Sequence, residues 1–185
     1  AEATARLLDP RGDAALVHRW VTQPRGRFWG MGDQSVEEVA QTYEYVASLP
    51  AHDAYLVHVD DRPCALVQLY DPAQDPLGEV VEVREGDLGL HLFVGPEAVG
   101  VAGLDRTETA MVAAMRLAFA RVGVRRVVAE PDERNVAMLR RMAQAGADIG
   151  ERIRVHDKDA RYVVLDREAF ERAEARVLAA SVARV

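Results

Sequence analysis

The sequence predicts a mixed α/β (α+β) fold, and three patterns carry that prediction. Short apolar runs separated by turn residues indicate a meander of strands over 54–60, 63–71 and 88–95. Apolar residues at helical spacing indicate helices over 35–49 and about 111–122. The order after the meander is helix, strand, helix. With 185 residues, 49% of them hydrophobic, we expect one domain over residues 1–185 with a substantial core.

Local signals predict the other elements in chain order. Ser35 and Glu38 form the reciprocal capping pair that begins the helix over 35–49, and Asp13 is a candidate cap for a short helix before it. Gly146 is placed to end a later helix. The remaining predicted elements are a strand over 4–9, a helix over 13–22, a strand over 125–130, a helix over 134–146, a hairpin over 147–155 and 160–166, and a helical C-terminal tail at about 167–185.

Charge and composition narrow the classes of function. The net charge of -7 opposes general attraction to nucleic acid, so we expect a small-molecule ligand. We expect no membrane association and a cytoplasmic location, because no run of about 20 apolar residues is present and the start resembles no secretory signal. Cys64 is the only cysteine, which excludes an internal disulfide. His58 and His156 have no neighbours at metal-ligand spacing, so we expect no metal site.

The order and spacing of several segments resemble a known family. The meander, the glycine turn and the segment "AEPDERNVAMLRRMAQAGAD" are similar, over 88–146, to acyl-CoA-dependent N-acyltransferases of the GNAT superfamily. The segments "FWGM", "YDP", "GDLGLHLFVGP" and "EPDERN" resemble, over about 17–166, the branch that acylates amines and hydroxylamines in hydroxamate siderophore biosynthesis, including aerobactin and mycobactin assembly. The resemblance implies a mainly antiparallel central sheet flanked by helices.

The glycine turn "GVAGLDR" at 100–106 is the expected cofactor site. A helix N-terminus presents unpaired N–H groups and a partial positive charge, so a turn entering a helix can hold a pyrophosphate. The resemblance implies that acetyl-CoA or another acyl-CoA is bound there by Gly100, Val101, Ala102, Gly103 and Arg106. Asp105 stands where the superfamily usually has Gly or Ala, and either faces the pyrophosphate or caps the helix. Asn135 either contacts the pantetheine arm or caps a helix.

His91 and Glu130 are the expected catalytic pair. Strand alternation places His91 on the less aliphatic face, but a lone histidine in a strand is more often structural than catalytic. The resemblance implies the catalytic role, since in the siderophore branch a histidine on this strand and an acidic residue ending the next are implicated in acyl transfer. Asp132, two residues after Glu130, is the alternative carboxylate for the catalytic pair. Such a pair can accept a proton during direct transfer in a ternary complex, with Cys64 a small core residue and not a nucleophile.

The acceptor pocket is expected from the same resemblance. It implies that Trp29 and Met31, in the aromatic loop "GRFWGM", wall the pocket, while hydrophobic anchoring of the loop explains them equally well. Asp132 either contacts the substrate or caps the next helix. His18 is expected to be structural or to line the same pocket.

The resemblance implies an acyl-CoA-dependent N-acyltransferase acting on the side-chain amine or hydroxylamine of a lysine- or ornithine-type compound. A siderophore synthetase is the implied partner or fusion. Two alternatives stay open. One is a catalytically weak GNAT-like binding module, which Asp105 favours, and the other is a GNAT enzyme acting on another small amine.

Overall fold

The computed structural model describes residues 2–99 and 106–183. Strands within these ranges are β1 Ala3–Leu7, β2 His52–Val59, β3 Arg62–Tyr70, β4 Asp87–Val94, β5 Arg126–Ala129, β6 Asp148–Val155 and β7 Lys158–Asp166. Helices within them are α1 Ala14–Val21, α2 Val36–Ser48, α3 Thr107–Phe119, α4 Val136–Gln144 and α5 Arg167–Val182. None of the helices in these ranges is both long and apolar enough to cross a membrane.

The strands form one mixed sheet in the order β1-β2-β3-β4-β5-β7-β6. Pairs β1–β2, β5–β7 and β6–β7 are antiparallel, whereas β4 and β5 are parallel. The parallel pair exists because α3 connects the two strands, returning the chain to the edge where β4 began. This arrangement confirms the predicted mixed, mainly antiparallel sheet with helices.

The chain forms two compact units, and β3 and β4 each contribute to both. The first unit comprises Ala1–Gln68 and Leu92–Met111. Its core is built by α1, α2 and the inner residues of β2, with Trp20 stacked on Phe93 at a centroid distance of 6.0 Å. Gly95 permits that contact, because a Cβ there would lie 2.7 Å from the Trp20 ring. Cys64 is fully buried in this unit, and burial raises the pKa of its thiol, which fits the predicted core role.

The second unit comprises Leu69–His91 and Val112–Val185. Its described core includes Leu77, Val128, Ile153, Val155 and Ala160. The β6–β7 hairpin turns through two residues, since Val155 pairs with Lys158. The prediction of a single domain over the whole chain stays a prediction.

The helix caps agree with the sequence at one position and differ at another. Ser35 accepts from the Glu38 backbone N–H and Glu38 returns the bond, which confirms the predicted capping pair of α2. The expectation that Asp13 caps α1 is wrong, because its carboxylate makes no cap bond. It accepts two hydrogen bonds from Arg6, at 2.7 and 2.8 Å, and one from the backbone of Asp9. The bidentate ion pair with Arg6 orients this carboxylate, because two charge-assisted hydrogen bonds to a guanidinium outweigh the single one that a cap bond would provide.

The parallel pairing of β4 with β5 is short, and an ion pair joins its first two opposed residues. Asp87 lies opposite Arg126, Leu88 opposite Val127, and Gly89 opposite Val128. The Asp87 carboxylate accepts two hydrogen bonds of 2.7 Å from the Arg126 guanidinium, and the Asp87 side chain is 1% exposed. This bidentate pair sets the register that the rest of β4 and β5 must follow.

Candidate active site

The register of β4 against β5 brings His91 and Glu130 together. Gly89 lies opposite Val128, and the two site residues each come two positions later, on the same face of adjacent strands. The His91 Nε2 lies 2.5 Å from the Glu130 Oε1. The pair predicted from the sequence is therefore hydrogen-bonded in the structure, with His91 in the middle of β4 and Glu130 directly after β5.

Glu130 is a buried carboxylate that stays ionised. The residue is 2% exposed, and its Oε2 accepts a second hydrogen bond, of 2.6 Å, from the Tyr70 hydroxyl. Burial acts to raise the pKa of this carboxyl, but His91 and the Tyr70 hydroxyl outweigh it and lower the pKa to about 2. Near pH 7 the Glu130 carboxylate is therefore negatively charged, and it lies against the half-buried imidazole of His91.

Tyr70, at the end of β3, can approach Glu130 because residue 89 on β4 has no side chain. A Cβ at Gly89 would lie 2.3 Å from the Tyr70 Cε2, closer than any real contact. The ring also lies against His91, with a centroid distance of 4.7 Å. Burial and the neighbouring Glu130 charge raise the pKa of the Tyr70 hydroxyl well above its usual value, so the hydroxyl remains a donor.

This arrangement determines which nitrogen of His91 can take a proton. An ionised carboxylate only accepts hydrogen bonds, so the Nε2 of His91 carries the hydrogen that points at Glu130. The neutral ring then has its lone pair on Nδ1. Glu130 also stabilises the imidazolium that forms when Nδ1 is protonated, which is the usual role of a carboxylate behind a histidine base.

A second histidine approaches the same carboxylate, which linear spacing did not indicate. The His156 Nε2 lies 3.0 Å from the Asp75 Oδ1 and 3.9 Å from the Glu130 Oε1. The sequence shows no metal-ligand spacing around His156, but the fold places donor atoms of Asp75, Glu130 and His156 within 4.8 Å of one another. The three residues lie far apart in sequence, and the fold alone brings them together.

The cofactor residues predicted from the glycine turn are only partly described. Gly100, Val101, Ala102 and Gly103 lie outside the described residues, as does Asp105. Arg106 precedes α3, and its Nε lies 3.5 Å from the Asp60 Oδ2. Asn135 caps α4 by accepting from the Met138 N–H at 3.3 Å, which matches one of its two predicted roles.

The predicted substrate residues are held by other contacts. The Asp132 carboxylate accepts three hydrogen bonds from Arg134, one from its backbone and two from its guanidinium. It caps no helix; that role belongs to Asn135, one turn later. In the first unit, Met31 is buried in the core and the Trp29 ring meets the Phe93 ring edge-on at 5.7 Å. These contacts match the anchoring alternative, and the pocket role stays a prediction.

Sequence reasoning missed three residues of this site. Tyr70 was placed near the end of a strand and in the segment "YDP" without a role in the site, His156 was considered only as a metal ligand, and Asp75 was given no role. A signal existed for one of them: a tyrosine ending β3 beside a glycine on β4 is the pattern expected where a large ring crosses a strand. No signal in the sequence relates Asp75 to His156.

Comparison with known proteins places this geometry in a family. A model of the acetyltransferase (GNAT) domain matches residues 9–155. The chain is 31% identical over 93 residues to the N(6)-hydroxylysine O-acetyltransferase of Escherichia coli, covering 50% of this chain and 29% of that protein. It is 26% identical over 122 residues to the N-hydroxyputrescine acetyltransferase of Acinetobacter baumannii, covering 65% and 57%. The chain thus spans less than two thirds of the length of either relative.

Solved structures share the fold at low identity. An uncharacterized protein from Bacillus halodurans superposes with a TM-score of 0.83 at 19% identity, covering 92% of this chain and 87% of that one. The aminoglycoside acetyltransferase AAC(6′)-Ib, in complex with coenzyme A, superposes with a TM-score of 0.77 at 22% identity, covering 92% and 98%. Because the domain match runs through most of the chain, including the β4 and β5 that hold His91 and Glu130, the chain belongs to the GNAT acetyltransferase family.

Proposed function

We propose that this chain is an acyl-CoA-dependent N-acyltransferase that acylates the side-chain amine or hydroxylamine of a lysine- or ornithine-type compound in hydroxamate siderophore biosynthesis. The observation that carries the proposal is the buried, ionised Glu130 with the imidazole of His91 above it. Family membership and the names of the two curated relatives support the reaction class and the type of acceptor.

Direct transfer needs a proton acceptor and no covalent enzyme intermediate. The acceptor nitrogen attacks the thioester carbonyl, and a C–N bond forms as the nitrogen becomes positively charged. His91 takes the proton of that nitrogen at Nδ1, with Glu130 stabilising the imidazolium. The C–S bond then breaks, and the coenzyme leaves as a thiolate that takes up a proton. Cys64 has no part in this route, because burial keeps its thiol protonated.

The co-substrate in this proposal is acetyl-CoA or another acyl-CoA, held by the turn at 100–106 with Arg106, and by Asn135. The solved relative that contains coenzyme A supports this choice. A ligand that binds only the native state stabilises it by mass action, by about 2.7 kcal/mol at one hundred times its dissociation constant. Thermal melting with acetyl-CoA and longer acyl-CoAs tests this binding independently of turnover.

The preferred acceptor is an N-hydroxylated amine. A hydroxylamine is largely neutral near pH 7, whereas an alkylamine must first lose a proton, so one modest base such as His91 suffices for the hydroxylamine. Both curated relatives are named for N-hydroxylated substrates. A buried polar partner left without the hydroxyl of its substrate would lose about 1 to 3 kcal/mol. In this proposal Trp29, Met31 and Asp132 contribute to the acceptor site.

The test is a thiol-release assay over a panel of acceptors. N6-hydroxylysine, N5-hydroxyornithine and N-hydroxycadaverine are compared with lysine, ornithine and cadaverine, and with spermidine and an aminoglycoside as unrelated amines. We expect the hydroxylamines to have the highest specificity constants at pH 7. Equal or higher constants for the parent amines would contradict the hydroxylamine preference, and a clear preference for spermidine or the aminoglycoside would support the alternative of another small amine.

Variants test the proposed catalytic pair. We expect His91→Ala and Glu130→Gln each to lower turnover by about 10²-fold while the affinity for acyl-CoA is nearly unchanged. His58→Ala on β2 and Glu151→Gln, an exposed carboxylate on β6, are the matched controls. Near-normal turnover in both site variants would remove the pair from the mechanism. Intact acyl-CoA binding with no turnover on any acceptor, even in the wild type, would favour the binding-module alternative.

A further inference from the structure

The backbone of His156 adopts a left-handed conformation, which is energetically unfavourable for a residue that has a side chain. It and Asp157 form the two-residue turn between β6 and β7, with φ angles of 52° and 56°. Such turns favour Asn and Gly, because both central residues take the left-handed conformation. The imidazole of His156 lies against Asp75, with 3.0 Å between its Nε2 and the Asp75 Oδ1. Asp75 in turn accepts from the Leu77 N–H at 3.0 Å, so the carboxylate is held in place from both sides.

The cluster presents donor atoms at the spacing of a metal site. Asp75, Glu130 and His156 each offer one atom within 4.8 Å of the others. Two of the separations are 3.0 and 3.9 Å, from the His156 Nε2 to the Asp75 and Glu130 oxygens. Ligands at about 2.0 to 2.1 Å from a tetrahedral ion lie about 3.3 Å from one another, a value between these two. His91 borders this cluster, with its Nε2 2.5 Å from the Glu130 Oε1, but it is not one of the three residues whose donor atoms all lie within 4.8 Å of one another.

Charge balance in the cluster suits a divalent ion. Two carboxylates of low exposure, Glu130 at 0% and Asp75 at 17% of the side chain, converge on the imidazoles. One divalent cation neutralises the charge of these two carboxylates. The other groups that act on these carboxylates are Lys158, whose positive charge favours ionised Glu130, and the Tyr70 hydroxyl, which donates to it. Lys158 opposes a cation, so the affinity must come from direct ligation and not from the local field.

We propose that Asp75, Glu130 and His156 form a binding site for a divalent transition-metal ion of the zinc type, and that the bound ion inhibits acyl transfer. One imidazole with two carboxylates favours Zn²⁺, Co²⁺ or Ni²⁺ over Mg²⁺, which prefers oxygen ligands and retains water. Ligation occupies the Glu130 carboxylate that the His91 Nε2 contacts and neutralises its charge, so the pair no longer serves as a base. Inhibition rests on the proposed function, whereas binding does not.

Binding is tested on tag-free protein of full length without substrate. Co²⁺ titration followed by visible absorption reports tetrahedral ligation, and Zn²⁺ competition measures its relative affinity. We expect saturation at one ion per chain and no competition by Mg²⁺. His156→Gln and Asp75→Asn should each weaken binding by at least about tenfold, whereas His58→Ala should leave it unchanged.

Two results would overturn the binding site. One is the lack of saturable Co²⁺ or Zn²⁺ binding, and the other is equal binding by His156→Gln, Asp75→Asn and His58→Ala. Circular dichroism and melting of each variant establish that it is folded, and the use of two ligand variants keeps the test decisive if one of them fails to fold.

Inhibition is tested separately in the thiol-release assay. Zn²⁺ should lower wild-type turnover reversibly, with recovery on adding EDTA, and should inhibit His156→Gln at least about tenfold less at the same concentration. Comparing the wild type with His156→Gln corrects for the effect of Zn²⁺ on the released thiol, because that effect is the same in both assays. Binding without inhibition would refute the inhibitory role alone. Metal binding by a protein that shows no acyl transfer would instead refute the proposed function but not the proposed metal site.

Discussion

Replacing Tyr70 with Phe removes one hydroxyl and leaves the ring in place, which isolates a single hydrogen bond to Glu130. That bond is 2.6 Å long, and both residues are 2% exposed. A hydrogen bond to a charged group contributes about 1.5 to 3 kcal/mol. We therefore expect the Tyr70→Phe change to lower the free energy of unfolding at pH 7 by about that amount. For a chain of this size the melting temperature should fall by about 3 to 12 °C.

The effect should depend on pH in a defined direction. The pKa of Glu130 is about 2 in the folded protein, below the value of about 4.3 in unfolded chains. Ionised Glu130 therefore stabilises the fold above pH 4.3, and this contribution is lost as the pH falls towards 2. Because the Tyr70 hydroxyl helps to hold the pKa down, Tyr70→Phe should raise the folded-state pKa of Glu130 by about 1 to 2. The stability difference between the two proteins should be full above pH 5 and shrink below pH 4.

Urea unfolding at pH 7 and pH 3 measures both quantities, with Tyr45→Phe as the control. Tyr45 lies on α2 and is 66% exposed, so its hydroxyl should contribute less than about 0.5 kcal/mol. The reasoning is refuted if Tyr70→Phe and Tyr45→Phe destabilise equally at pH 7, or if the Tyr70→Phe difference is the same at both pH values.

Three further substitutions test other parts of the structure. Gly89→Ala should push the Tyr70 ring off β4 and cost about 1 to 3 kcal/mol in urea unfolding, and an unchanged midpoint would show that the ring tolerates a Cβ there. Ser35→Ala should remove the cap of α2 and cost about 1 kcal/mol in the same assay, and no loss would contradict the cap. His91→Ala should raise the pKa of Glu130, since burial then acts with less opposition; carboxyl-carbon NMR titration measures it, and an unchanged pKa would contradict the assigned cause.

Local signals predicted the elements that depend on neighbouring residues. Ser35 and Glu38 lie three positions apart, so their capping pair was visible in the sequence, and the apolar periodicity of α2 indicated the same helix independently. Asp13 shows the limit of such signals. Its carboxylate had an equally local competitor in Arg6, and the strength of that ion pair depends on how β1 and α1 meet.

The candidate site was predictable only where a resemblance supplied the pairing. His91 and Glu130 are 39 residues apart, and nothing in composition or spacing relates them. Asp75 and His156 were missed because strand order and turn geometry bring them together, and neither can be read from a linear pattern, whereas Tyr70 was missed although a glycine on β4 signals a large neighbouring ring. The residues of the glycine turn, 100–105, stay predictions because they lie outside the described residues.

The short pairing of β4 with β5 also has a consequence for folding. Only three residues on each strand are paired in register, with the Asp87–Arg126 ion pair at one end and the His91–Glu130 bond just beyond the other. A slip of one residue would turn every side chain of β4 to the opposite face. Two carboxylates, at Asp87 and Glu130, would then be buried without their donors, at several kcal/mol each. The same charged residues therefore disfavour pairing of β4 with β5 in the wrong register, because such pairing would bury an unpaired carboxylate at each end.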